Sequence, residues 1–99
     1  MSTDSLISKL RESIEDGEWS WLAPHQARGA LVLVSQDLDL AEVGSAISRD
    51  SVSEVSTWLQ QGKLLKPGPT QIDGWDATPA LKFRFLIVQP YVLVQVRSN

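Results

Sequence analysis

Cysteine is absent from the chain, which excludes disulfides, thiolate catalysis and cysteine-ligated zinc. Histidine occurs once, at His25. A lone histidine acting as general base needs an orienting acid and a substrate cleft. As a metal ligand it needs partners, and no carboxylate pair stands at matching helical spacing beside it. There is no G-x-x-x-x-G-K-[ST], no G-x-G-x-x-G, no H-E-x-x-H, and no serine within G-x-S-x-G. These absences point away from an enzyme and from a cofactor or metal site. Apolar runs are also short, far below the ~20 residues of a membrane helix, and no early apolar run follows a basic segment. A soluble cytoplasmic protein is the expectation. There are no internal repeats and no low-complexity tract.

What is present fits one domain spanning the 99 residues. A chain of this length buries roughly two-thirds of its unfolded surface, enough for a modest core without staples. The formal net charge of −3 is unevenly spread. Residues 37–61 carry Asp37, Asp39, Glu42, Asp50 and Glu54 against Arg49 alone. Residues 62–99 carry Lys63, Lys66, Lys82, Arg84 and Arg97 against Asp73 and Asp76.

The stretch from Asp39 to Lys66 organises the rest. Asp39 with Glu42, and Ser51 with Glu54, have the spacing of capping boxes at two helix starts. Leu40, Val43 and Ile47 form one apolar stripe, and Val52, Val55, Trp58 and Leu59 form another. Gly62 suits a left-handed C-cap. The turn Ser48-Arg49-Asp50 is short enough to force two helices packed at an angle over 39–61, the outline of a helix-turn-helix. Leu64-Leu65 follows as a short extended piece.

Around this pair, Leu6, Ile7, Leu10 and Ile14 predict a first helix over about 4–16, capped by Thr3 or Asp4 and stopped by Gly17. One to two helical turns are expected near 20–28, with Pro24 in the first turn and Gly29 at the end. Residues 30–35 begin with an unbroken apolar run, so this strand is expected to be covered on both faces. Pro67-Gly68-Pro69 breaks the chain. Thr70 then suits the cap of one turn carrying Ile72 and Trp75, ended by Pro79. Residues 82–96 read as two antiparallel strands with Phe83, Phe85 and Ile87 on one face. Gln89-Pro90 between them fits a longer turn, a cis-proline turn or a bend in one long strand, because proline cannot supply the positive φ of a tight hairpin. The order is helix, strand, helix, helix, strand, strand. The expected class is α+β, winged-helix-like, with a small antiparallel sheet closing over the helices.

The stretches WLAPHQARGALVLV, LDLAEVGSAI and KFRFLIVQPYVLVQ together resemble a family of small cyanobacterial and proteobacterial proteins known as a domain of unknown function. The resemblance covers most of the chain, roughly Trp19 to Gln95. It implies one bacterial domain and brings no catalytic residue, cofactor or partner.

Candidate binding residues are Trp19, Trp21 and Trp75, because tryptophan offers a large apolar face with one donor. His25 and Arg28 could join Trp21 in a small polar-aromatic pocket. The plain alternatives are that the tryptophans pin loops onto the sheet, that His25 bonds near the Pro24 turn, and that Arg28 pairs with a carboxylate of the first helix. Trp58 lies on an apolar stripe and belongs to the core.

Two functions are compatible with these residues. The first is a non-enzymatic protein-interaction or regulatory module, acting on a protein partner or as a homodimer through an exposed edge at 82–96 or through the first helix. The alternative is a nucleic-acid-binding regulator. The second helix of the pair would present Ser53, Glu54, Ser56, Thr57, Gln60 and Gln61 to the major groove. That face has no lysine or arginine, and affinity for duplex comes mostly from cations near phosphates. Binding would therefore rest on Lys63, Lys66, Lys82 and Arg84.

Overall fold

The computed structural model describes residues 3–97. The elements in chain order are α1 (Thr3–Glu12), β1 (Glu15–Glu18), α2 (Trp19–Ala27), β2 (Leu31–Val34), α3 (Leu40–Ser48), α4 (Val52–Gln60), β3 (Leu64–Leu65), α5 (Pro69–Asp76), β4 (Lys82–Val88) and β5 (Tyr91–Val96). They form a mixed α+β fold in which one five-stranded sheet, ordered β1-β4-β5-β2-β3, is sandwiched between helices. Among the described residues no helix is long and apolar enough to cross a membrane.

The alternation of side chains along each strand decides which helices lie on which face. Leu31, Phe83, Val92 and Val94 point to one face, where α2 and α5 cover them with Trp19, Leu22 and Trp75. Val34, Leu86, Val88 and Leu93 point to the other, where α1, α3 and α4 contribute Leu10, Leu40, Val43, Ile47, Val55 and Trp58. The unbroken apolar run of β2 is thus explained, since both of its faces are covered. On the first face Trp19, Trp75 and Phe83 meet with ring centroids 5.0–5.8 Å apart. Such pairs each add about 0.5–1.5 kcal/mol beyond the burial of their area.

Three helices end the same way. In each, the residue after the C-cap has positive φ, and two backbone N–H groups fold back onto the last turn in a Schellman motif. After α2 these are Gly29 to Gln26 O and Ala30 to His25 O. After α4 they are Gly62 to Leu59 O and Lys63 to Trp58 O. After α3 the left-handed position is taken by Asp50, at φ 54, with Ser51 N–H reaching Ala46 O.

Several expectations need correction. The sheet is neither small nor purely antiparallel, because β2 pairs parallel with β5. Helices lie on both faces, whereas the winged-helix-like arrangement placed them on one. The expected first helix at 4–16 stops at Glu12, and Glu15–Glu18 forms an edge strand against β4. This strand has no apolar alternation. Its partners explain it: Glu18 pairs with Lys82 directly opposite, Asp16 pairs with Arg97 just past β5, and opposite charges across a sheet are favourable. Gly17 leaves room for two rings, since a Cβ there would lie 2.8 Å from Phe85 and 3.2 Å from Trp21.

The 82–96 segment offers no free edge, because β4 and β5 are interior strands. They do form the favoured antiparallel pair, turning through a cis Gln89-Pro90 peptide. Pro24 lies inside α2 and not in its first turn. The first amides of α2 bond the chain leading into β4 instead, Trp19 N–H to Leu81 O and Ser20 N–H to Pro79 O. Helix α5 begins at Pro69, a good first helical residue, and not after a Thr70 cap.

Candidate functional site

The two expected caps of the helix pair have different fates. Asp39 caps α3, its Oδ1 accepting from the amides of Ala41 at 2.8 Å and Glu42 at 3.4 Å. Its other oxygen takes Arg11 of α1 at 2.7 Å. Partial burial pushes the Asp39 carboxyl up, but the Arg11 bond and the two amides outweigh this and hold it below the ordinary carboxylate value. Ser51 makes no cap bond, contrary to the spacing. Its backbone is tied back to Ala46 by the Schellman turn, at ψ 81, so the hydroxyl does not lie over the amides of α4. Glu54 turns instead to Arg49, at 3.4 Å.

That turn sets how α4 is carried. No residue of α4 is fully buried. The helix leans on the core through Val55 and Trp58, and a groove of about 360 Å³ opens between it and the sheet. Val32, Ala46, Ile47, Val52, Val55, Leu59, Leu64, Leu65 and Tyr91 make its apolar lining, and Asp50, Ser51, Ser56 and Lys66 are its polar members. Val52 is 72 % exposed and Leu59 is 55 % exposed, so much of the apolar stripe of α4 has no cover among the described residues. Lys66 has no carboxylate within ion-pair distance among the described residues.

The residues singled out from sequence do not gather into one site. Trp19 and Trp75 are core, and the Trp19 indole donates to Asp76 Oδ1 at 2.8 Å. Trp21, two positions along the same helix, points the other way and is 61 % exposed, its ring near Gly17. Arg28 bonds His25 Nδ1, and among the described residues it has no ion pair with a carboxylate of α1. A guanidinium can only donate, so Nδ1 is the acceptor. Trp58 is a partly buried core neighbour, as expected.

The four candidate phosphate contacts are also dispersed. Lys63 pairs with Asp37 at 2.7 Å and Lys82 with Glu18 at 3.1 Å. The Lys63 bond, with help from the Ser35 hydroxyl, lowers the Asp37 carboxyl. Lys63 and Lys66 flank β3, while Lys82 and Arg84 sit on β4, three strand spacings or about 14 Å away.

The groove is not visible in the sequence because its residues read as core. A helical stripe identifies an apolar face; it does not say whether the same chain covers that face.

The chain is thus a small mixed α+β domain with one apolar groove open beside α4. The chain matches the family model described as "Protein of unknown function (DUF2288)" over residues 5–96, and it belongs to that family. Among solved structures it is similar to PA1075 from Pseudomonas aeruginosa, determined by NMR in solution. The identity is 34 %, the TM-score is 0.79, and the alignment covers 96 % of this chain and 87 % of that one. A search of curated proteins found no match.

Proposed function

We propose that this protein is a non-enzymatic interaction module whose α4–β3 groove receives an apolar segment of a partner protein. The groove carries the reading. A small domain rarely leaves several large apolar side chains exposed along one continuous surface, and such surfaces mark binding sites. Val52, Leu59, Leu65 and Tyr91 are all exposed and all line this groove. Lys66 stands at the groove with no carboxylate within ion-pair distance among the described residues, Asp50 lining the groove without reaching it, so the segment that fits best carries an acidic side chain near Lys66 beside its apolar ones.

A photo-crosslinker placed at Leu59 tests this, with one at Lys82 on another strand as control. The expected result is a partner crosslinked from Leu59 alone. That purified partner then binds the unmodified protein, and binding weakens at least tenfold in Leu59→Glu and Val52→Glu. Equal crosslinking from both positions, or affinity unchanged by both variants, overturns the reading.

The nucleic-acid alternative draws less support. Two of its four cations are neutralised by neighbours, the others lie apart, Lys66 just after β3 and Arg84 on β4, and Glu54 stays on the helix that would enter the major groove. The winged-helix comparison extends no further than the α3–α4 pair and the β4–β5 hairpin.

A further inference from the structure

A second cavity, of about 470 Å³, opens at the other end of the helical layer, and it is polar where the groove is apolar. Its floor follows from strand register. Asp16, Arg84 and Gln95 lie directly opposite one another across β1, β4 and β5. One row further along, the same sheet face carries Leu86 and Leu93, buried beneath the helices. The sheet face therefore changes from apolar to polar where the helical cover ends. Arg11 enters from α1 and Arg97 from the end of β5, and Ile14, Leu38 and Leu40 form an apolar wall.

The charges in this cavity do not cancel. Asp39 is engaged by Arg11 and by the amides of α3. Asp16 lies opposite Arg84 in register, yet its carboxylate takes Arg97, at 2.9 Å. Arg84 is left with no carboxylate within ion-pair distance among the described residues. The floor beside it is stiff. Gln95 is 5 % exposed, with its amide nitrogen donating to Ser35 O at 2.8 Å and Leu38 O at 2.7 Å. Three guanidiniums against two carboxylates leave a net positive cavity on a chain of net charge −3.

We propose that this cavity is a binding site for a small phosphorylated molecule, with Arg84 as the principal ligand of its phosphoryl group. Guanidinium forks match phosphate and carboxylate oxygens. Here the open fork is that of Arg84 on β4, and Arg11 from α1 and Arg97 from the end of β5, each holding a carboxylate through one nitrogen, also line the cavity. That arrangement suits the three terminal oxygens of a phosphate monoester better than the two coplanar oxygens of a carboxylate. The volume exceeds that of a bare phosphate and lies within the range of about 300–1,000 Å³ usual for small-molecule sites. The apolar wall gives the organic part of the ester a surface to rest on. The site is separate from the groove and does not depend on it.

The test is a titration of the ¹⁵N-labelled full chain, followed by NMR at constant ionic strength, with phenyl phosphate, inorganic phosphate and acetate as probes. The expected result is saturable shifts at the amides of Arg84, Gln95 and Leu38–Leu40. Phenyl phosphate binds tightest, and acetate at least tenfold more weakly than phosphate. Arg84→Gln weakens phenyl phosphate at least tenfold, while Lys66→Gln and Leu59→Glu leave it unchanged. Arg84 is exposed and makes no ion pair among the described residues, so its substitution keeps the fold, checked by unchanged amide positions elsewhere. Arg11→Gln, acting from another element, provides a second weakened variant. Non-saturating shifts spread over all cationic surfaces, or affinity indifferent to Arg84→Gln, overturn the site. Acetate binding as tightly as phosphate overturns its assignment to phosphoryl groups.

Discussion

Gly44 offers a sharp test of how α3 meets the sheet. It lies in the middle of α3, where glycine costs about 1 kcal/mol relative to alanine, so propensity alone predicts that Gly44→Ala stabilises the protein. The packing predicts the reverse. An alanine Cβ would lie 2.8 Å from Leu86 Cδ2, 3.2 Å from Val88 Cγ2 and 3.4 Å from Leu10 Cδ1. Comfortable carbon contacts begin near 3.4 Å, so the methyl intrudes on Leu86 and Val88 and only touches Leu10. Leu86 is fully buried and has little room to swing aside. Overpacking of this kind costs about 1–3 kcal/mol, and two tight contacts against the buried Leu86 and Val88 place it in the upper half of that range. The net is a loss of about 1–2 kcal/mol. For a domain of this size each kcal/mol moves Tm by about 4–8 °C, so the midpoint of thermal unfolding followed by circular dichroism falls by about 4–16 °C. Leu86→Val trims the nearest methyl. The double variant is therefore less destabilised than the sum of its parts, by about 1 kcal/mol of coupling. A Gly44→Ala protein as stable as the parent, or a strictly additive cycle, refutes the close approach of α3 to β4.

Gly62, at φ 72 with no neighbouring atom within 4 Å of the place a methyl would occupy, isolates backbone strain from packing; Gly62→Ala lowers stability by about 1–2 kcal/mol in urea unfolding, with an unchanged m-value. Asp39→Ala removes a cap and an ion pair together and costs about 1–2 kcal/mol by the same assay at neutral pH. Asp37 and Asp39 both have carboxyls lowered in the folded state, so their stabilisation is complete above the ordinary carboxylate value near 3.8 and disappears as pH falls through their depressed folded values. Stability measured from pH 6 down to pH 2 accordingly drops more steeply in the parent than in Asp39→Asn. Trp21 is the exposed indole while Trp19 and Trp75 are buried, so Trp21→Phe removes most of the fluorescence that iodide can quench.

The legible parts of the fold are those written in local pattern. The stripes of α3 and α4, the double-sided burial of β2 and the Gly29 and Gly62 stops each depend on residues within one or two turns of each other, and each forms where the periodicity places it. The illegible parts depend on partners far away in the chain. Glu15–Glu18 becomes a strand because Lys82 and Arg97 pair with its acids and Phe85 needs the space over Gly17. The parallel pairing of β2 with β5 joins segments about sixty residues apart, and alternation within a strand says nothing about its neighbour. Ser51 and Glu54 have the correct spacing for a capping box. The left-handed turn at Asp50 displaces the serine, and Arg49 takes the glutamate.

The two candidate sites are hidden for opposite reasons. Val52, Val55 and Leu59 look like core because they share an apolar stripe with Trp58. Only the height at which α4 is carried, set by the Asp50 turn, leaves the stripe open. Arg84 looks like one of four scattered cations because its surroundings come from α1, β1 and β5. Register is what separates it from Lys82 two residues earlier. Both arginine and lysine face an acid across the β1 ladder, but Glu18 stays with Lys82, while Asp16 leaves Arg84 for Arg97. A charge ladder that closes at one rung and opens at the next leaves Arg84 as the unmatched guanidinium of the polar cavity among the described residues. That mismatch, rather than the total of basic residues, is the physical basis for anion recognition by an acidic protein.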